Sequence, residues 1–164
     1  MKHEIRFVLN GEDKTLIVPS NVTLLQLLRD CLEVTSPKRS CEQGECGACT
    51  VILDGKAVNA CLVLASSIDG KVVMTVDGLG KTELHPLQKY FMDLSASQCG
   101  YCTPGMLMAA KALLDGNPDP TFEEVKEGLS GNMCRCTGYL KPVEAVLAAA
   151  QELRQTASKR PEED

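Results

Sequence analysis

The sequence predicts an α+β chain in two parts, a strand-rich unit followed by a helical one. Three observations carry that reading. Asn-Gly and Asp-Gly pairs punctuate apolar, β-prone runs in the first half. Helix-opening prolines and a capping-box pattern mark the second half. Eight of the nine cysteines fall into two sets of four, one set in each part.

The elements follow in order. Residues 4–9 (EIRFVL) alternate as a strand, Asn10-Gly11 is a hairpin turn, and Thr15–Val18 returns as a second strand. Residues 23–32 read as a short helix with Leu24, Leu27, Leu28 and Cys31 on one face. A cysteine loop at 41–49 leads into a second hairpin, Thr50–Leu53 and Lys56–Val58 about Asp54-Gly55. Lys71–Val76 closes this part as a β-branched strand. The join falls in DGLGKTEL at 77–84, which has two glycines and little periodicity.

Beyond it the pattern is helical. Pro86–Leu94 opens with proline in the first turn, where a missing N–H costs nothing. Pro104–Leu114 stops at Asp115-Gly116-Asn117-Pro118. Thr121–Leu129 begins with Thr121 and Glu124 spaced as a capping box. Pro142 to about Arg154 forms the last helix. Helix, cysteine pair, helix then occurs twice, so two helical hairpins are expected to clasp one site between their cysteine loops. The division expected is 1–78 and 79–155, with 156–164 a flexible tail.

Bulk properties exclude several functions. At 164 residues the chain buries one moderate core or two small ones. A net charge of −5 and the absence of tryptophan argue against a nucleic-acid surface. No apolar run approaches a membrane span. The odd cysteine count, and an N-terminus that enters a strand at once, speak for reduced thiols in a cytoplasmic setting rather than a disulfide framework.

The first set is Cys41, Cys46, Cys49 and Cys61. Its C-x4-C-x2-C spacing with a distant fourth cysteine is that of plant-type [2Fe–2S] ferredoxins. Zinc sites favour two separate knuckles, whereas here three cysteines crowd one loop. The second set is Cys99, Cys102, Cys134 and Cys136, a C-x2-C pair and a C-x-C pair far apart. Spacing alone leaves iron and zinc both open there. Glycines beside the ligands (Gly44, Gly47, Gly100, Gly131, Gly138) let backbone N–H groups approach thiolate sulfur.

The strings CEQGECGACTV, QCGYCTPGM and GNMCRCTGY resemble the small iron–sulfur component of the molybdenum hydroxylases, the xanthine dehydrogenase, aldehyde oxidoreductase and carbon monoxide dehydrogenase type. The likeness runs from about residue 3 to about residue 152. It implies a β-grasp ferredoxin-like domain holding one [2Fe–2S] cluster on Cys41, Cys46, Cys49 and Cys61. It further implies a C-terminal four-helix domain holding the other on Cys99, Cys102, Cys134 and Cys136.

In such enzymes a large partner binds the molybdenum–pterin cofactor, and an FAD-binding subunit or domain completes a heterotrimer that can double. Electrons pass from molybdenum to the helical-domain cluster, then the ferredoxin-like cluster, then flavin. The resemblance also places Gln98 and Cys136 against the pterin, through an amide hydrogen bond and a cluster-ligand sulfur. Small departures from the family pattern are Ser40 before the first ligand, Met133 in place of leucine, and Lys141-Pro142.

The ninth cysteine, Cys31, is expected as a small buried hydrophobe. His3 and His85 suit surface or capping roles, and Met106 and Met108 suit packing. Arg135 sits between two thiolates, where its charge would raise a cluster's potential unless a salt bridge claims it. Glu42 and Glu45 lie beside the first site, where they would shape docking of a flavin-bearing partner or simply face solvent. Neither a glycine-rich nucleotide loop nor a Ser/His/Asp set is present. The rival readings are a free-standing two-cluster ferredoxin and a structural zinc-binding module.

Overall fold

The fold is described from a computed structural model for residues 1–80 and 83–159. Strands β1 (Lys2–Leu9) and β2 (Glu12–Pro19) form an antiparallel hairpin with Phe7 opposite Lys14. Asn10 and Gly11 both take positive φ, 52° and 83°, the mirror-image turn that matches strand twist. Asp54 and Gly55 repeat this between β3 (Thr50–Leu53) and β4 (Lys56–Asn59).

Strand β5 (Val72–Met74) enters the sheet centre, parallel to β1 and antiparallel to β3, giving the order β2-β1-β5-β3-β4. It is shorter than the sequence suggests. The Asn10 side chain accepts from Thr75 N–H at 2.8 Å and donates to Thr75 Oγ1 at 2.9 Å, taking that residue out of the ladder.

Helix α1 (Leu24–Gln26) opens with a reciprocal box between Thr23 and Gln26 and widens into a π turn over Leu27–Cys31. That turn corrects one expectation. Leu32 N–H bonds Leu27 O at 3.1 Å, an i→i+5 closure that adds a residue to the turn. The inward position moves from Cys31 to Leu32, so Cys31 is exposed while Leu32 packs on the core.

The second part holds α2 (Pro86–Asp93), α3 (Thr103–Gly116), α4 (Phe122–Leu129) and α5 (Leu140–Lys159). His85 Nδ1 accepts from Leu87 N–H at 3.2 Å, a capping role. Thr121 and Glu124 form the capping box. Helix α5 starts earlier and ends later than expected. It begins two residues before Pro142, which the first turn tolerates. Nothing from Gln151 to Lys159 stops it, so residues 156–159 of the anticipated tail are helical. Residues 160–164 of that tail lie outside the described residues.

Among the described residues two hydrophobic clusters result. One gathers Ile5, Phe7, Leu24, Leu27, Leu28, Val51 and Val73 under the sheet, with Cys49 and Cys61 at its edge. The other gathers Leu87, Phe91, Met106, Val125, Leu129 and Val146 between the helices. Helix α3 touches β3 and β4 as well as α2 and α4, so it joins the parts. Among the described residues no helix is long and apolar enough to cross a membrane.

Candidate functional site

The loop 41–49 is shaped by three left-handed residues, Glu42 (φ 54°), Gly44 (82°) and Gly47 (67°). Such turns point successive N–H groups inward and form a concave anion site. The Cys41 sulfur receives Gln43 N–H at 3.4 Å and further amides from Cys46 and Glu45. Those bonds, Gln43's first, bring the Cys41 thiol down to about 6. Cys49 behaves oppositely: burial pushes it up to about 12.

Within this site the sulfurs approach in pairs. Cys41 and Cys46 share a hydrogen bond, as do Cys49 and Cys61. The first pair sits in the surface loop and the second is buried against the sheet core. A [2Fe–2S] cluster takes four thiolates as two pairs, one on each iron, and the donor set fits that demand. Among the described residues no three His, Cys, Asp or Glu side chains gather as a single metal ion would need.

The second site repeats the pairing with different means. Cys99 and Cys136 sulfurs lie 3.6 Å apart and exposed, and Cys102 pairs with Cys134 further in. Burial pushes Cys102 up to about 12. Burial also works on Cys134, but there the Thr137 hydroxyl at 3.1 Å and Thr137 N–H at 3.5 Å win and hold it below its ordinary value. Cys136 is raised by its hydrogen bond to Cys99 and the charge beside it. Cys134 N–H donates to the Tyr139 hydroxyl at 2.7 Å, which fixes the loop before α5.

The two sites meet. Met133 N–H donates to Cys46 O at 2.9 Å, so a cysteine of one site is joined to the neighbour of a cysteine of the other. A cleft of about 330 Å³ between them is lined by Cys46, Tyr101, Cys102, Met133, Cys134 and Arg135, among others. Gly105 makes the approach possible, since a β-carbon there would stand 2.3 Å from Gly47 O. This junction was not foreseen from sequence.

Other singled-out residues fall into place. Gln98 is exposed beside Cys99, on the outer side of the second site. Arg135 is exposed and forms no ion pair with another described residue of this chain. Glu42 lies 3.6 Å from Arg39, and Glu45 is exposed. Met106 and Met108 are buried. His3 bonds Ser20 Oγ at 3.0 Å.

A strand-rich unit with a three-cysteine loop, tied to a four-helix unit with a second thiol set, defines a two-cluster [2Fe–2S] electron-transfer protein. The model of the 2Fe-2S iron-sulfur cluster binding domain matches residues 7–74, and that of the [2Fe-2S] binding domain matches residues 75–147. The nicotinate dehydrogenase small FeS subunit of Eubacterium barkeri is 49% identical, with 92% of this chain and 96% of that subunit aligned. The nicotine 6-hydroxylase small subunit of Paenarthrobacter nicotinovorans is also 49% identical, over 92% and 91% of the two chains.

Among solved structures, quinoline 2-oxidoreductase from Pseudomonas putida 86 superposes with a TM-score of 0.90 at 39% identity, over 94% of this chain and 97% of that one. Aldehyde oxidoreductase from Desulfovibrio desulfuricans gives 0.90 at 45% identity, over 93% of this chain but 17% of that much longer one. The chain belongs to the small iron–sulfur subunits of the molybdenum hydroxylases.

Proposed function

We propose that this chain carries electrons from a molybdenum–pterin centre in a large partner subunit, through the helical-domain cluster and then the ferredoxin-like cluster, to FAD in a further subunit or domain. Cys99, Cys102, Cys134 and Cys136 hold the first acceptor on this route, and Cys41, Cys46, Cys49 and Cys61 hold the second. The clusters supply one-electron chemistry. Everything else is done by the chain. The observation that carries the reading is the Met133 N–H···O=C Cys46 bond, which fastens the two ligand loops together.

The exposure of the ligands supports the order. Cys99 and Cys136 form the outer edge of the helical site, with Gln98 beside them. That edge suits the pterin, with the Gln98 amide and the Cys136 sulfur as its contacts. The inner pair, Cys102 and Cys134, faces the cleft that Cys46 also lines. The loop that follows Cys41 exposes Glu42, Gln43 and Glu45, an edge open to a flavin-bearing partner. Burial of Cys49 and Cys61 keeps solvent from the inner side of the first site.

The parts divide near residue 78, and the oxidoreductase is of the xanthine dehydrogenase and aldehyde oxidoreductase type. It works in the cytoplasm as a heterotrimer that doubles. The similarity over nearly its whole length to the nicotinate dehydrogenase small FeS subunit supports a role as one subunit of a larger oxidoreductase. Metal analysis of the natively purified protein tests it. About four iron and four sulfide per chain, with molybdenum in a larger companion, are expected. Zinc in place of iron after anaerobic handling would replace the reading with a structural module.

A further inference from the structure

The polar side chains buried at the junction are not ligands, yet they grip the first ligand loop. Asn132 is 3% exposed and Thr50 7% exposed. Asn132 Nδ2 donates to Gly47 O at 2.9 Å and lies 3.2 Å from Thr50 Oγ1. Thr50 Oγ1 donates to the same carbonyl at 2.7 Å, and Thr50 N–H reaches it at 3.1 Å. Gly47 O therefore accepts three bonds, one of them from a residue 85 positions away. A second carbonyl of the loop is held likewise, by Asn59 Nδ2 on Gly44 O at 2.8 Å.

A trans peptide points its C=O and the following N–H in opposite directions. Holding Gly44 O outward thus turns Glu45 N–H inward, where it meets the Cys41 sulfur. Glycine at positive φ imposes little preference of its own, so Gly44 and Gly47 need external restraint to keep one orientation. Packing confines both glycines, yet the direction of each carbonyl is set by these hydrogen bonds, whose donors Thr50, Asn59 and Asn132 border a crevice of about 180 Å³.

We propose that Asn132, Thr50 and Asn59 form a positioning unit for the first cluster. By holding the Gly44 carbonyl, Asn59 aims the Glu45 amide at the Cys41 sulfur, and by holding the Gly47 carbonyl, Asn132 and Thr50 set the loop's placement against the helical domain. Amides directed at sulfur favour the more negative, reduced cluster, so the unit raises that cluster's potential. Asn132 follows Gly131 and precedes the Met133 amide bound to Cys46, so the same unit fixes the separation of the two sites. The inference rests on the proposed ligand sets.

The test uses the full chain loaded with both clusters, in the assembly from which it is isolated. Redox titration followed by electron paramagnetic resonance reads each cluster, and a Cys46→Ser variant identifies the signal of the first. Asn132→Leu, Thr50→Val and Asn59→Leu are each expected to shift the first cluster to more negative potential and leave the second in place. Asn132→Leu and Thr50→Val should also change the magnetic splitting between the two reduced clusters, while Thr50→Ser restores the parent values.

Parent potentials and parent splitting in folded, fully loaded Asn132→Leu and Thr50→Val would overturn the proposal. Should Asn132→Leu fail to fold, the Thr50→Val and Thr50→Ser pair decides alone, since valine differs from threonine by a methyl in place of the hydroxyl and serine keeps the hydroxyl. Failure of the ligand reading is distinct, because it would appear as iron and sulfide short of two clusters in the unaltered chain.

Discussion

The first cysteine site is made by a loop and the second by packing. In the first, three of the four cysteines lie within the residues 41–49, and left-handed turns at Glu42, Gly44 and Gly47 bring backbone amides to sulfur. In the second, two cysteine pairs from opposite ends of the α3–α4 hairpin meet, and Thr137 supplies a side-chain hydroxyl as well as its amide. Both sites end with one pair of thiols inward and one outward. The lesson is that the same donor chemistry is reached by local backbone conformation in one case and by tertiary contact in the other. Damage to each should therefore read out differently.

The largest effect expected is on electron flow. Cys99→Ser or Cys136→Ser removes the outer edge of the helical site and should abolish substrate-driven reduction of the flavin while the first cluster still assembles. Absorbance of the flavin during anaerobic substrate mixing measures this. Full flavin reduction in either variant would break the assigned order.

Next comes the junction. Gly47→Ala places a β-carbon 2.3 Å from Gly131 O at φ 67°, and Gly105→Ala places one 2.3 Å from Gly47 O. Overpacking of this kind costs roughly 1–3 kcal/mol. Both variants should lower the denaturation midpoint, and Gly47→Ala should also impair loading of the first cluster, because its loop is the one deformed. An unchanged midpoint would mean that the two parts touch more loosely than described.

Arg135→Gln sharpens the comparison at smaller scale. Removing an exposed positive charge from between Cys134 and Cys136 should shift the second cluster to more negative potential and leave the first alone. Redox titration of both signals checks it. The smallest expected effect is at His85, whose imidazole is held below its ordinary value by burial first and by Lys111 second. Its neutral Nδ1 accepts the Leu87 amide.

The unfolded state binds the His85 proton more readily. This contribution is therefore complete above the ordinary histidine range and is lost as pH falls through the depressed folded value. His85→Asn keeps an N-cap acceptor without titrating. Its stability curve should lack that step between neutral and mildly acid pH, which urea titrations at several pH values would show.

Much of this was legible in the sequence. Turn pairs at Asn10-Gly11 and Asp54-Gly55, the Thr121 box and the three-cysteine run at 41–49 each act over a few residues. What escaped acts over distance or by a small change of helical pitch. The π turn moved Cys31 to the surface by adding one residue, which no periodicity count sees. Asn132 reads as a loop residue until Gly47, 85 positions away, lies beneath it. Helix α5 outran its expected end because nothing from Gln151 to Lys159 breaks it, and side-chain oxygens of Thr156 and Ser158 bond back to the helix carbonyls of Glu152 and Arg154.

The relay itself is tested most directly by Cys46→Ser in the intact enzyme, mixed anaerobically with its substrate and frozen for electron paramagnetic resonance. The account predicts that the helical-domain cluster is reduced as in the parent while the flavin stays oxidised. A reduced flavin with the first cluster disabled would contradict it, for electrons would then be leaving by a route that does not pass Cys46.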